Sequence, residues 1–114
     1  MNTSLLRLTA HFKDTLSLAH AWMPFVQGGG LFVPCTERPS LGSAVYVLVR
    51  LGAEGEHMGF TGQVVWLSAP LPPAGTPAGI GVQLGQDMAG RALAKRIEDS
   101  LGNIQASLKK TATL

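Results

Sequence analysis

Apolar and polar side chains alternate strictly at the start of the chain. Leu6, Leu8, Ala10 and Phe12 fall between Arg7, Thr9, His11 and Lys13, and a period of two marks a half-buried strand. Lys13-Asp14 reads as a turn, after which Leu16, Leu18 and Trp22 continue the alternation as a second strand. Pro24 and the triplet Gly28-Gly29-Gly30 interrupt it, and the short strand Leu31-Phe32-Val33 is closed by Pro34. Arg38-Pro39-Ser40-Leu41-Gly42 reads as a turn. Ala44–Leu51 is apolar at nearly every position, which predicts a strand buried on both faces. Gly52–Gly59 carries Glu54, Glu56 and His57 and is expected to be a solvated hairpin loop. In the following strand, Phe60–Leu67, alternation puts Phe60, Gly62, Val64 and Trp66 on one face. Pro70–Pro77 is a stiff, proline-rich surface loop. A last strand has Ile80, Val82 and Leu84 between Gly79, Gly81 and Gln83.

From Met88 the period changes. Leu93, Ile97, Leu101, Ile104 and Leu108 form one stripe of an amphipathic helix over about 88–108. Asp87 is placed to cap it, since its carboxylate can accept the unpaired amide hydrogens of the first turn. Gly102 is a weak point in it, and 109–114 is expected to be a frayed tail. Six strands over about 4–85 followed by one helix predict a mainly β fold. The expected form is a small antiparallel six-stranded β-barrel or sandwich, with the C-terminal α-helix across an open end.

Size and composition agree with one domain spanning 1–114. The chain has 114 residues, is 46% hydrophobic and only 14% charged, and holds 14 glycines and 7 prolines. It is apolar enough to form a core and rich in turns. The single cysteine, Cys35, excludes an internal disulfide framework and a cysteine-based zinc cluster. With no secretory h-region and no spanning segment, a reduced thiol predicts a cytoplasmic protein without direct membrane insertion. Net charge is +2 and the aromatic content 6%. Residues 1–87 carry four basic and five acidic side chains, and 88–114 five basic and two acidic. This mild polarity is far from the dense basic patch that phosphate-driven binding needs, so no nucleic-acid partner is expected.

Candidate chemistry is sparse. His11, His20 and His57 are scattered without an acidic ligand at helical spacing, so no metal site is expected. Cys35 has no cationic neighbours to activate its thiol, and no carboxylate pair has a hydrolytic context. Gly79-Ile80-Gly81 superficially matches a dinucleotide fingerprint, but apolar residues alternate through it, which places it inside a strand. No Gly-Lys-Ser/Thr occurs. The residues offer neither an active site nor a cofactor site.

Two segments stand out instead. One is Trp22–Pro34, where large apolar residues sit among chain breakers; the other is Trp66 running into the Pro70–Pro77 loop. Stiff apolar surface of this kind suits a protein partner, although both tryptophans could equally plug the ends of the fold. Trp22, Trp66 and Pro70 are the candidate contacts to one partner. The Leu31-Phe32-Val33 edge is the candidate for a second.

The run Met23-Pro24-Phe25-Val26-Gln27-Gly28-Gly29-Gly30-Leu31-Phe32-Val33-Pro34 resembles the glycine turn of PilZ domains. Leu41-Gly42, Tyr46-Val47-Leu48, Gly62-Gln63-Val64-Val65-Trp66, Gly79-Ile80-Gly81-Val82-Gln83-Leu84 and the terminal helix follow in the family's order. The resemblance runs from about Leu6 to Leu108 and is closest to the founding, non-canonical type. Most PilZ domains bind cyclic di-GMP through an Arg-x-x-x-Arg arm and an Asp/Asn-x-Ser-x-x-Gly turn. Aligned on Gly30, this chain has Phe25 in place of the Asp/Asn and Gln27 in place of the Ser. Its nearest counterpart to the arm, Arg7 and His11, lies within the first strand. Each hydrogen bond to a charged group contributes about 1.5–3 kcal/mol, so loss of the clamp implies no useful binding of the nucleotide. A direct receptor would need Arg7, Arg38 or Arg50 to converge on the glycine turn. The founding type implies instead a non-enzymatic adaptor in type IV pilus biogenesis and twitching motility. Its implied partners are the pilus extension ATPase and a degenerate GGDEF–EAL protein.

Overall fold

The N-terminal alternation produces strand β1, Leu6–Phe12, with Leu8, Ala10 and Phe12 turned into the core. The computed structural model describes residues 5–52, 56–68 and 78–112, with side chains as far as residue 102. Within them the chain continues as helix α1 (Thr15–Ala21) and strands β2 (Trp22–Met23), β3 (Gly30–Pro34), β4 (Ala44–Leu51), β5 (Glu56–Leu67) and β6 (Gly79–Leu84). It ends in helix α2 (Met88–Ala112).

The expected second strand is a helix. Asp14 takes an extended backbone and its carboxylate accepts a 2.8 Å hydrogen bond from the Ser17 amide, an N-cap that starts α1. Leu18 and Ala21, three residues apart, face the core, and Leu16 is left exposed. The cap at Asp14 and the helical spacing of Leu18 and Ala21 outweigh a two-residue alternation.

The six strands form one sheet in the order β1-β4-β5-β6-β3-β2. Every ladder is antiparallel except the first: β1 runs parallel to β4, from Leu6 opposite Val45 to Phe12 opposite Leu51. The sheet is therefore mixed, not antiparallel throughout. Parallel neighbours need a crossover of roughly a dozen residues or more, and α1, β2 and β3 supply it between β1 and β4. The sheet curls until β1 touches β3, but no ladder joins them and β1 and β2 remain its edges. The expected barrel is thus left open, with α1 packed on both β1 and β3.

Strand β4 is buried on one face only. Val45, Val47, Val49 and Leu51 point inward, Tyr46 and Leu48 are half-buried outside, and Ala44 and Arg50 are exposed. Its run of apolar residues does not report two covered faces, because both helices pack toward the inner side. Strand β5 begins at Glu56, inside the expected loop, since the β4–β5 ladder extends to Leu51 opposite Glu56.

Asp87 caps α2, its carboxylate accepting from the Gly90 amide at 2.9 Å. Leu93, Ile97 and Leu101 bury one stripe against the sheet and α1. The helix passes through Gly102 and continues to Ala112, into the stretch expected to fray. The side chains of Ile104 and Leu108 lie outside the described residues. No helix among the described residues is long and apolar enough to cross a membrane.

Candidate functional site

A register shift in β5 decides where the second tryptophan points. Val64 pairs with Val82, but the next paired residue is Trp66, opposite Gly81. The extra residue is a β-bulge, and it reverses the alternation beyond it. Val64 stays in the core, whereas Val65 and Trp66 are exposed at 40% and 44%. Alternation alone put Trp66 on the inner face with Phe60 and Val64; the bulge carries it to the outer face.

On that face Trp66 meets Phe32, which pairs with Gly81 from the other side. The two ring centroids are 5.9 Å apart and the planes are tilted by 58°, an edge-to-face type of contact. The space beneath is provided by glycine: a Cβ on Gly81 would stand 3.0 Å from the Trp66 Cβ and 3.2 Å from the Met23 sulfur. Gly79-Ile80-Gly81 indeed lies within β6, with Ile80 in the core and the glycines under these outer side chains.

The loop from β2 to β3 brings further apolar groups to the same place. Gly29 has φ +95°, a backbone conformation that L side chains rarely adopt, and a Cβ there would collide with the Trp22 indole. Trp22 is accordingly half-buried, packed on the core beside the glycine turn. The turn projects Phe25 outward, 80% exposed. Phe25, Phe32, Val65 and Trp66, with Met23 and Val26, line an apolar groove of about 550 Å³ whose remaining walls are Trp22 and His20.

Of the residues singled out in the sequence, Trp22, Phe32 and Trp66 are thus brought together. Phe25, which falls in the apolar Trp22–Pro34 segment and at a lost nucleotide position, joins them. Leu31 does not: it is fully buried, and its strand lies between β6 and β2 and not at the sheet edge. Pro70 lies outside the described residues. Gln27 is exposed, and its backbone carbonyl accepts a 2.8 Å hydrogen bond from the Gln83 side-chain Nε2. Gly30 is buried at the start of β3, packed against Val26 and Met23. Met23 and Val26 fall in the Trp22–Pro34 segment without being named as contacts, and Val65 was missed because nothing in a regular alternation announces a bulge.

The three arginines that a nucleotide site would need do not converge. Arg7 and Arg50 stand on the outer face of β1 and β4. Arg38 donates to the Ser68 hydroxyl at 3.3 Å, near Gly79 and so at the far end of β3 and β6 from Gly30. The cations that border the glycine turn are Arg91 and Lys95 of α2, in a cleft they share with Glu98.

Two titratable groups elsewhere are shifted, Asp14 by hydrogen bonds and Cys35 by burial. Hydrogen bonds from the Ser17 amide and hydroxyl keep the Asp14 carboxyl below its ordinary range. Burial pushes the Cys35 thiol up, toward the protonated and unreactive form. No protein-family model matches this chain, and no curated protein matches it.

Proposed function

We propose that this chain is a non-enzymatic adaptor that works by protein–protein contact through the Phe25–Phe32–Trp66 groove. The single observation that carries the reading is the convergence of exposed Phe25 and Trp66 with half-buried Phe32 over a glycine-floored sheet face. An exposed apolar surface of this kind is a recurring mark of partner binding. Its rigid strands suit it to a preformed partner pocket or helix face.

The PilZ resemblance gives the adaptor its setting. In that reading the curled six-stranded sheet is an open form of the PilZ barrel, and the protein acts in the cytoplasm in type IV pilus biogenesis and twitching motility. The pilus extension ATPase binds the groove, and a degenerate GGDEF–EAL protein supplies the nucleotide signal that this chain does not read itself.

The test is co-purification of the purified extension ATPase with the wild-type chain and with Trp66→Ala. Capture by the wild type, lost in a Trp66→Ala protein whose circular dichroism is unchanged, supports the reading. Equal capture by both proteins removes Trp66 as an anchor, and no capture by the wild type removes this partner.

A further inference from the structure

We infer that the outer face of β1, β4 and β5, distinct from the apolar groove, docks an extended acidic segment of a partner protein. Register brings His11, Arg50 and His57 side by side across the three strands, and Arg7 stands beside Tyr46 four residues away. All of the charged side chains at outward positions of these strands are basic. Glu56, the acidic residue of β5, lies in register with inward-facing Leu51 and forms a 3.0 Å ion pair with Arg96 of α2.

Two cations of α2 are matched: Lys95 faces Asp99 at 3.9 Å, and Arg96 faces Glu56. Among the described residues Arg7 and Arg50 meet no carboxylate. Tyr46, beside Arg7 on β4, leans toward β5, where any Cβ on Gly59 would collide with its hydroxyl, and the outward residues between the Arg7 and Arg50 rows are Thr9 and half-buried Leu48. No charged side chain of these strands stands between the two arginine rows.

Spacing argues for an extended partner. Four residues of strand separate the Arg7 and Arg50 rows, roughly 13 Å at about 3.3 Å per residue. Carboxylates four residues apart on one face of an extended peptide span the same length. Each then meets a guanidinium fork, whose geometry matches a carboxylate in bidentate fashion. Two fixed cations are too few for a membrane surface, which takes clusters of about four to eight Lys or Arg. Nucleic acid likewise demands several phosphate contacts. This surface and the groove sit at opposite ends of β5, marked by His57 and Trp66, so both can be occupied at once.

The experiment titrates the isotopically labelled full chain with a peptide of alternating Glu and Ser, following backbone amide resonances. Shifts should concentrate in Arg7–His11 and Tyr46–Arg50 and diminish with added salt. The same peptide with Gln for Glu should leave them unmoved. Arg7→Gln/Arg50→Gln should weaken binding on the order of tenfold, and the two single variants serve if the double variant does not fold. Trp66→Ala should bind the peptide as the wild type does, which separates this surface from the proposed groove. The inference is overturned by absence of shifts at millimolar peptide, by equal response to the Gln peptide, or by full affinity in the arginine variants. It is also overturned if vesicles containing phosphatidylglycerol bind and the peptide does not.

Discussion

Phe32 and Trp66 belong to strands on either side of β6 and meet across Gly81, with ring centroids 5.9 Å apart. The contact needs both the bulge that turns Trp66 outward and a central residue without a side chain. One aromatic alone on a sheet face would be ordinary. Two joined over backbone, with Phe25 beside them, make a rigid apolar surface whose shape depends on Gly81.

Gly81→Val tests that dependence. Its Cβ would press on Trp66 and Met23, and overpacking of this sort destabilises by about 1–3 kcal/mol. Urea denaturation should show a lowered midpoint, and partner capture should fall in the fraction that remains folded. A variant with unchanged midpoint and full capture would mean that the aromatic pair adapts freely.

Phe25→Ala separates binding from folding more cleanly. The ring is 80% exposed, so its truncation should change stability by no more than about 0.5 kcal/mol. Capture of the extension ATPase should nonetheless weaken measurably, as for a contact residue near the centre of an interface. If melting is unchanged and capture is also unchanged, Phe25 stands outside the contact area.

Leu31 and Phe32 are neighbours with opposite duties. Leu31 is fully buried and Phe32 lies on the outer face. Leu31→Ala should lower stability by about 2–5 kcal/mol, as for other buried leucines. Thermal melts of the two alanine variants, followed by capture assays below both midpoints, check the division. Leu31→Ala should still capture the partner when folded, and Phe32→Ala should not.

Much of this arrangement was legible in the residues. Alternation located β1 and β6, the glycine triplet and Pro34 bounded β3, and the four-residue spacing of Leu93, Ile97 and Leu101 located α2 with its cap at Asp87. Local pattern cannot tell which strands become neighbours, so the parallel β1–β4 ladder and the open sheet emerged only from the fold. α1 was hidden because Leu16 and Leu18 imitate alternation, while its cap rests on one Asp14 carboxylate. The groove was half visible: Trp22, Phe32 and Trp66 stood out for their bulk, but the bulge that gathers Val65 and Trp66 leaves no mark in composition.

The cap of α1 makes a pH prediction with a definite sign. Asp14 has its carboxyl pKa lowered in the folded protein by the Ser17 hydrogen bonds. The ionised form is thus favoured by folding, and this stabilisation is present above the unfolded value of 3.8 and lost as pH falls through the lower folded value. Asp14→Ala should melt below the wild type at neutral pH. The gap between the two melting curves should close as the solution is acidified below that unfolded value. A gap that persists unchanged in acid would mean that the carboxylate charge is not what holds the helix start.

Cyclic di-GMP gives the sharpest division between the adaptor and a direct receptor. In the proposed PilZ reading, the position that would meet guanine with a short polar side chain holds Phe25, which points into solvent as part of the apolar groove. Arg7 and Arg50 stand on β1 and β4 and Arg38 in the connection from β3 to β4, all away from Gly30. Calorimetric titration with micromolar nucleotide should therefore give no heat, and the melting temperature should not move. Arg91 and Lys95 do border the glycine turn, but Glu98 shares their cleft and opposes a phosphate there. Tight binding abolished by Arg91→Gln would assign the nucleotide to that cleft and make the chain a direct receptor. Binding that survives Arg91→Gln but is lost in Arg7→Gln would place it on the basic sheet face instead.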